Sequence, residues 1–292
     1  MRISVYLILF ITGAVYVQGQ TSKGDSVTDG RWELVWHDEF DGDGAVDSTY
    51  WNYELGFVRN EEYQWYRREN VVKRNGILFI EGRKDSVPNP YHNASINNWR
   101  HSRKYATCTS GSINTRGKFC FQYGKLDVRA RIPCVVGSWP AIWTLGIDKE
   151  WPSNGEIDVM EYYHIDGIPH ILANAAWGND RRFDAVWNSA RIEFSHFTDK
   201  DPYWYSKFHI WTMNWDSEHI ELSLDGEVLN TIDLSKTVNG RIGGYMNPFH
   251  QPHYILLNLA IGGINGGEPQ ADSWPMRYEV DYVRVYKASG NK

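Results

Sequence analysis

An all-β sandwich is the fold class that this sequence predicts, on three observations. The chain breaks into short runs that alternate apolar and polar residues, as half-buried strands do. Gly, Asp, Asn and Pro turn signals separate these runs at short spacing, the pattern of packed antiparallel sheets. No segment longer than about ten residues keeps a helical period. Neither an internal repeat nor a low-complexity linker divides the 292 residues, so one large domain with a sizeable core is expected.

Taken in order, Met1-Arg2 precedes an apolar run over 3–17 and then Gly19-Gln20, which reads as a secretory signal peptide over 1–19. A polar leader follows over 20–30. No other apolar run approaches the ~20 residues of a membrane span, and no Cys lies near the cleavage point to carry a lipid anchor. The expected product is exported, periplasmic or extracellular, soluble and monomeric. Residues 32–42 give a first short strand and a turn. Alternating runs at 76–81, 124–132 and 220–228 read as further strands, the last holding the hairpin signal Asp225-Gly226. The run 278–286 alternates cleanly as a closing strand. Two stretches, 83–110 and 179–205, look irregular, and long ordered loops on a sandwich shape binding clefts.

A net charge of -6 gives no reason to expect a nucleic-acid partner. Aromatic residues make up 15% of the chain, with 14 Trp, and Trp and Tyr faces are surfaces on which sugar rings stack. The three cysteines, Cys108, Cys120 and Cys134, allow one disulfide and a spare thiol, or three free thiols. Their spacing matches no zinc site, and the ten His are scattered.

The stretch with most chemistry is Gly155-Glu156-Ile157-Asp158-Val159-Met160-Glu161-Tyr162-Tyr163. On a regular strand Glu156 and Asp158 share a face and Glu161 falls on the other. One bulge after Asp158 absorbs a residue and returns Glu161 to the acidic face. Retaining glycosidases need two such carboxylates, one ionised as nucleophile and one protonated as general acid. Crowded carboxylates cannot all ionise, so at least one pKa rises. A solvated strand face or a calcium-binding acidic patch is the rival reading of these residues alone.

Upstream stands Gly137-Ser138-Trp139-Pro140-Ala141-Ile142-Trp143-Thr144-Leu145. With G-E-I-D-x-x-E at 155–161, W-x-D-E-F-D-G at 36–42 and N-x-E-x-Q-x-Y at 60–66, this block resembles glycoside hydrolase family 16. The resemblance covers about 31–287, leaving a tail over 288–292. It implies a β-jelly roll of two curved antiparallel sheets whose first and last strands pair. It implies Glu156 as nucleophile, Glu161 as acid/base and Asp158 as their assistant. It further implies Trp143 as floor of the subsite beside the cleaved bond, Trp139 further out, Asn60 on a sugar of the non-reducing side, and a role for Arg129. Core packing is the alternative for the tryptophans, and a structural turn for Asn60.

One departure stands out. Laminarinases of the family usually carry a His-aromatic-Gly step where this chain reads Ala176-Trp177-Gly178, so Trp177 becomes the neighbouring substrate-binding aromatic and the His is lost. Two substrate classes follow: a laminarin-like β-1,3(-1,4)-glucan, or β-galactosidic chains such as keratan, poly-N-acetyllactosamine and mucin O-glycans. The implied activity is that of a secreted retaining endo-β-glycosidase with no catalytic cofactor. A structural calcium is also implied, on Asp281 with the carbonyls of Glu39 and Gly82. A non-catalytic, lectin-like carbohydrate-binding module is the alternative, and the pair Glu156 and Glu161 discriminates, because binding alone does not require both.

Overall fold

The computed structural model describes residues 31–290; the expected signal peptide and leader, and the last two residues of the expected tail, lie outside them. Two antiparallel sheets account for most of the described chain, as the short alternating runs predict. The eight-stranded sheet runs Glu227–Asp233, His219–Leu224, His209–Trp215, Gly124–Arg131, Met276–Ala288, Ile77–Gly82 and Val71–Arg74, with Trp32–Asp38 added against Met276–Ala288. First and last strands therefore pair, from Trp32 opposite Ala288 to Asp38 opposite Val283. The seven-stranded sheet runs Ala185–Glu193, Ile168–Gly178, Glu156–Ile165, Ser138–Gly146, His253–Ile261, Ser112–Asn114 and Asn52–Tyr53. This is the expected jelly-roll sandwich.

Alternation decides what lies between the sheets. Leu126, Val128 and Ala130 turn inward from one sheet; Ile255, Leu257, Leu259 and Ile261 turn inward from the other, all within one buried cluster. Burying such side chains contributes about 1.5–3 kcal/mol each. The first turn is fixed by Asp38, whose carboxylate accepts from the Phe40 amide at 2.8 Å and from Trp51 Nε1 at 2.8 Å. The Asp225-Gly226 hairpin forms as expected, with φ of 49° and 85°, the positive pair that a two-residue turn of this hand requires.

The stretch 179–205 departs from expectation, because it contains a nine-residue edge strand, Ala185–Glu193. Its inward positions are Asn188, Ala190 and Ile192 and one outward position is Trp187, so the usual apolar-in, polar-out signal is scrambled. The stretch 83–110 is largely irregular, with a four-residue helix Trp99–Ser102. Its strand Cys108–Ser110 pairs in parallel with Gln64–Tyr66. All three cysteines are free: Cys108 is buried, Cys134 half-buried and Cys120 exposed. Among the described residues no helix is long and apolar enough to cross a membrane.

Candidate active site

The acidic strand Glu156–Ile165 lies between Ser138–Gly146 and Ile168–Gly178 near the middle of the seven-stranded sheet. Asp158 pairs with Asn174 and Glu161 with Leu172, so two residues, Val159 and Met160, oppose the single Ala173. The register against Ser138–Gly146 slips at the same point. Ile157, Val159, Met160 and Tyr162 all join the core between the sheets. Two consecutive residues facing inward are the signature of a bulge, and it leaves Glu156, Asp158 and Glu161 together on the outer face. Gly155 makes the entry possible: its φ is +77°, and a Cβ there would lie 2.9 Å from Pro248 Cβ.

Neighbouring strands and the turn before Gly155 supply the hydrogen bonds. Trp151 Nε1 donates to Glu156 Oε2 at 2.5 Å. Trp139 Nε1 donates to Glu161 Oε1 at 2.8 Å, and Asn174 Nδ2 donates to Glu161 Oε2 at 3.0 Å and more loosely to Asp158 Oδ2 at 3.4 Å. Burial raises all three carboxyl groups, and they differ in what opposes it. For Glu156, hydrogen bonds from Trp151 and Asp158 and the charge of Arg59 favour the ionised form. Asp158, buried and facing both glutamates, is held well above the carboxylate range and stays protonated, with its proton shared toward Glu156. Burial and the Glu156 charge push Glu161 up to about 7 against its two donors. Near neutral pH Glu161 thus sits close to its midpoint.

Trp143 and Trp139 share this face, as their spacing predicts, outside the main core. Trp143 Nε1 donates to Asn258 Oδ1 at 2.7 Å, and Asn258 Nδ2 to the Tyr66 hydroxyl at 3.2 Å. The Arg59 guanidinium, ion-paired with Glu54, lies 5.0 Å from the Trp143 ring centroid. Trp139 meets Tyr163 edge-on at 5.6 Å. Asn60 takes a left-handed turn with φ of 53°, and its carbonyl accepts from the Ile264 amide at 3.0 Å. Its side chain stays partly exposed next to Arg59, with Nδ2 3.4 Å from Glu62 Oε1. The stretch 83–110 clamps this turn: Arg100 Nε donates to the Val58 carbonyl at 3.1 Å and Arg103 Nη2 to the Glu61 carbonyl at 2.7 Å. The two guanidiniums lie 4.7 Å and 4.9 Å from the Trp99 ring centroid.

A family model described as Glycosyl hydrolases family 16 matches residues 60–284. The chain belongs to glycosyl hydrolase family 16. It is 34% identical over 276 residues to a β-glucanase of Rhodothermus marinus, covering 88% of this chain and 86% of that protein. It is 31% identical over 275 residues to a keratan-sulfate endo-1,4-β-galactosidase of Sphingobacterium multivorum, covering 88% of this chain and 55% of that longer protein. A solved structure described among endo-acting O-glycanases of the human gut microbiota that initiate mucin breakdown superposes with a TM-score of 0.79. The two share 32% identity, over 91% of this chain and 94% of that one. Glycoside hydrolysis of glycans is the activity of the family.

Several residues expected at the site of this family 16 hydrolase lie elsewhere. Trp177 turns inward into the core, edge-on to Phe249, while its neighbour Ala176 faces outward opposite Glu156. A one-residue step reverses the face, so the aromatic of the Ala-Trp-Gly step is a packing residue. Arg129 belongs to the other sheet; with Val128 and Ala130 in the core it points to the far surface, ion-paired with Asp281 and 4.9 Å from the Phe208 ring centroid. That same pair takes the Asp281 carboxylate from the expected calcium. Gly82 pairs with Met276, five residues and so roughly 17 Å along the strand from Asp281. A divalent cation wants several converging oxygens, and with Asp281 paired to Arg129 and Gly82 distant this set does not fit one; among the described residues no group of three His, Cys, Asp or Glu converges. Nothing local in the sequence marks Trp151, Asn174 or Arg59, since each reaches the site from a segment distant in the chain or through a loop.

Proposed function

We propose that this family 16 hydrolase is a retaining endo-β-glycosidase that cleaves internal β-glycosidic bonds by double displacement. The observation that carries the reading is the bulge that sets Glu156, Asp158 and Glu161 together on one sheet face, where burial raises their carboxyl groups and holds Glu161 at about 7. Glu156 attacks the anomeric carbon while the glycosidic bond breaks, and Glu161 gives its proton to the departing oxygen. Water then attacks the glycosyl-enzyme, its proton passes to Glu161, and the carbon–oxygen bond to Glu156 breaks. Asp158 holds Glu156 by a hydrogen bond and keeps the second negative charge away. Protein carboxyl groups and water are all that this sequence of steps requires.

The polymer is either a β-1,3(-1,4)-glucan or a β-galactosidic chain of the keratan, poly-N-acetyllactosamine or mucin type, matching the two kinds of relative. Trp143 and Trp139 line the trench, with Asn60 toward the non-reducing side. We infer export from the apolar run that opens the sequence. A purely carbohydrate-binding protein gains nothing from burying three carboxyl groups at the cost of their desolvation.

Glu156→Ala and Glu161→Ala test the roles. Each should abolish polymer turnover while leaving the polymer bound. With an activated aryl glycoside, azide should rescue Glu161→Ala and yield the β-glycosyl azide, but attack directly on Glu156→Ala to yield the α-anomer. Near-normal turnover by either variant defeats the assignment. Products sized after incubation with laminarin, mixed-linkage glucan, agarose, keratan and mucin glycans identify the polymer.

A further inference from the structure

Strand register carries the catalytic row beyond the carboxylates. Glu156 pairs with Ala176, and Ala176 with Trp187 on the edge strand Ala185–Glu193. Directly paired residues of an antiparallel sheet point the same way, so the Trp187 indole opens onto the same face as Glu156. Only the methyl of Ala176 separates them in the sheet. Two strand spacings put the Trp187 Cα roughly 10 Å from that of Glu156, far enough to meet a sugar beyond the one attacked.

Trp187 is also unlike the other tryptophans. It is 46% exposed, against 6% for Trp139 and 7% for Trp143, and it is the only exposed one of the 14 in the chain. Among the described residues no aromatic or cationic group stacks on it. An indole left in water forgoes the burial energy of a large apolar surface. Its backbone, in contrast, is held firmly. Asn230 Nδ2 reaches across from the other sheet to the Ala173 carbonyl at 2.9 Å and to Asn188 Oδ1 at 3.0 Å, tying the edge strand at the residue after Trp187. A fixed, bare, flat apolar surface in line with the carboxylates suits the apolar face of a pyranose.

We propose that Trp187 is the floor of a sugar-binding subsite on the leaving-group side of the trench, stacking on a β-linked pyranose of the polymer. The side follows from the proposed function on which this rests: Asn60 lies toward the non-reducing side, its neighbour Arg59 packs over Trp143 of the strand Ser138–Gly146, and Trp187 lies across Glu156 from that strand. The occupant is a neutral sugar ring, since stacking calls on its C–H face rather than on a charge.

Trp187→Ala and Trp187→Phe should be compared on the polymer that wild type degrades and on an aryl glycoside of the same sugar, whose leaving group ends short of Trp187. Trp187→Ala should raise KM for the polymer about tenfold and leave kcat/KM for the aryl glycoside within a factor of about two. Trp187→Phe should keep most of the polymer affinity, and both variants should melt as wild type does. An equal loss on the two substrates, or an unchanged KM for the polymer, overturns the subsite. Glu156→Ala run beside them separates the cases: activity surviving in that variant defeats the catalytic assignment, whereas a Trp187 result alone does not.

Discussion

Glu161 is pulled in two directions, and the balance sets the pH dependence. Burial and the Glu156 charge raise it to about 7, while Trp139 and Asn174 donate to its oxygens and favour the carboxylate. Because bond cleavage needs the protonated acid, kcat/KM should fall as pH rises through about 7, read from initial rates across pH. Removing a donor to the carboxylate disfavours ionisation. Asn174→Ala should therefore move that limb to higher pH and lower kcat about tenfold to a hundredfold, a share of what general acid catalysis supplies. A loss of activity with the limb unmoved reduces Asn174 to a packing role. The motif around these glutamates is legible in sequence because strand alternation and one bulge are local rules. Asn174, Trp151 and Arg59 are not legible, because their partners become neighbours only when strands and loops assemble.

At the scale of the element, the bulge converts spacing into geometry. Val159 and Met160 both turn inward, so the strand spends one residue more than alternation needs between Asp158 and Glu161. Deleting Val159 leaves Glu156, Asp158 and Glu161 in plain alternation on one face. Inserting one Ala between Val159 and Met160 also makes the spacing even, but it carries Glu161 two strand positions, roughly 7 Å, further from Glu156 than the deletion does, unless further residues crowd into the bulge. The deletion should keep measurable turnover, while the insertion should drop it below about 1%, because two carboxyl groups set further apart no longer meet across one bond, seen by rate assay. Comparable activity in both variants removes the bulge from the account. The edge strand Ala185–Glu193 shows the limit of the same rules. With Asn188 and Ala190 inward and Trp187 outward, its pattern is set by Asn230 and by the trench rather than by a simple apolar face.

Across the whole molecule, charge pairing binds the first and last described strands on the sheet opposite the trench. Burial raises the Glu39 carboxyl, yet hydrogen bonds from His37 and Arg284 outweigh it and hold the group at about 2, below its ordinary 4.5. A depressed carboxyl contributes stability above its unfolded pKa and loses it as pH falls toward the folded value. Arg284→Ala should cost about 1 kcal/mol at pH 7, with the difference from wild type shrinking as the pH drops from 4.5 toward 2 in matched denaturation curves. Chelation with EDTA should leave the melting temperature unchanged, because Arg129 holds the Asp281 carboxylate that a calcium ion needs. The sandwich itself is legible from alternation and turn residues. The pairing of Asp281 with Arg129 is not, because Asp281 looks the same in sequence whichever cation it meets.

The pairing of Trp32 with Ala288, continued by the Ser289 amide to the Arg31 carbonyl at 2.7 Å, brings residues 31 and 289 to one corner. A short peptide joining them would close the domain into a ring, and the exposed turn at Asp225-Gly226 offers a place to reopen it. Such a circular permutant keeps every strand of the catalytic sheet uncut. It could be anchored to a support through its new termini without rearranging the strands along which the polymer lies.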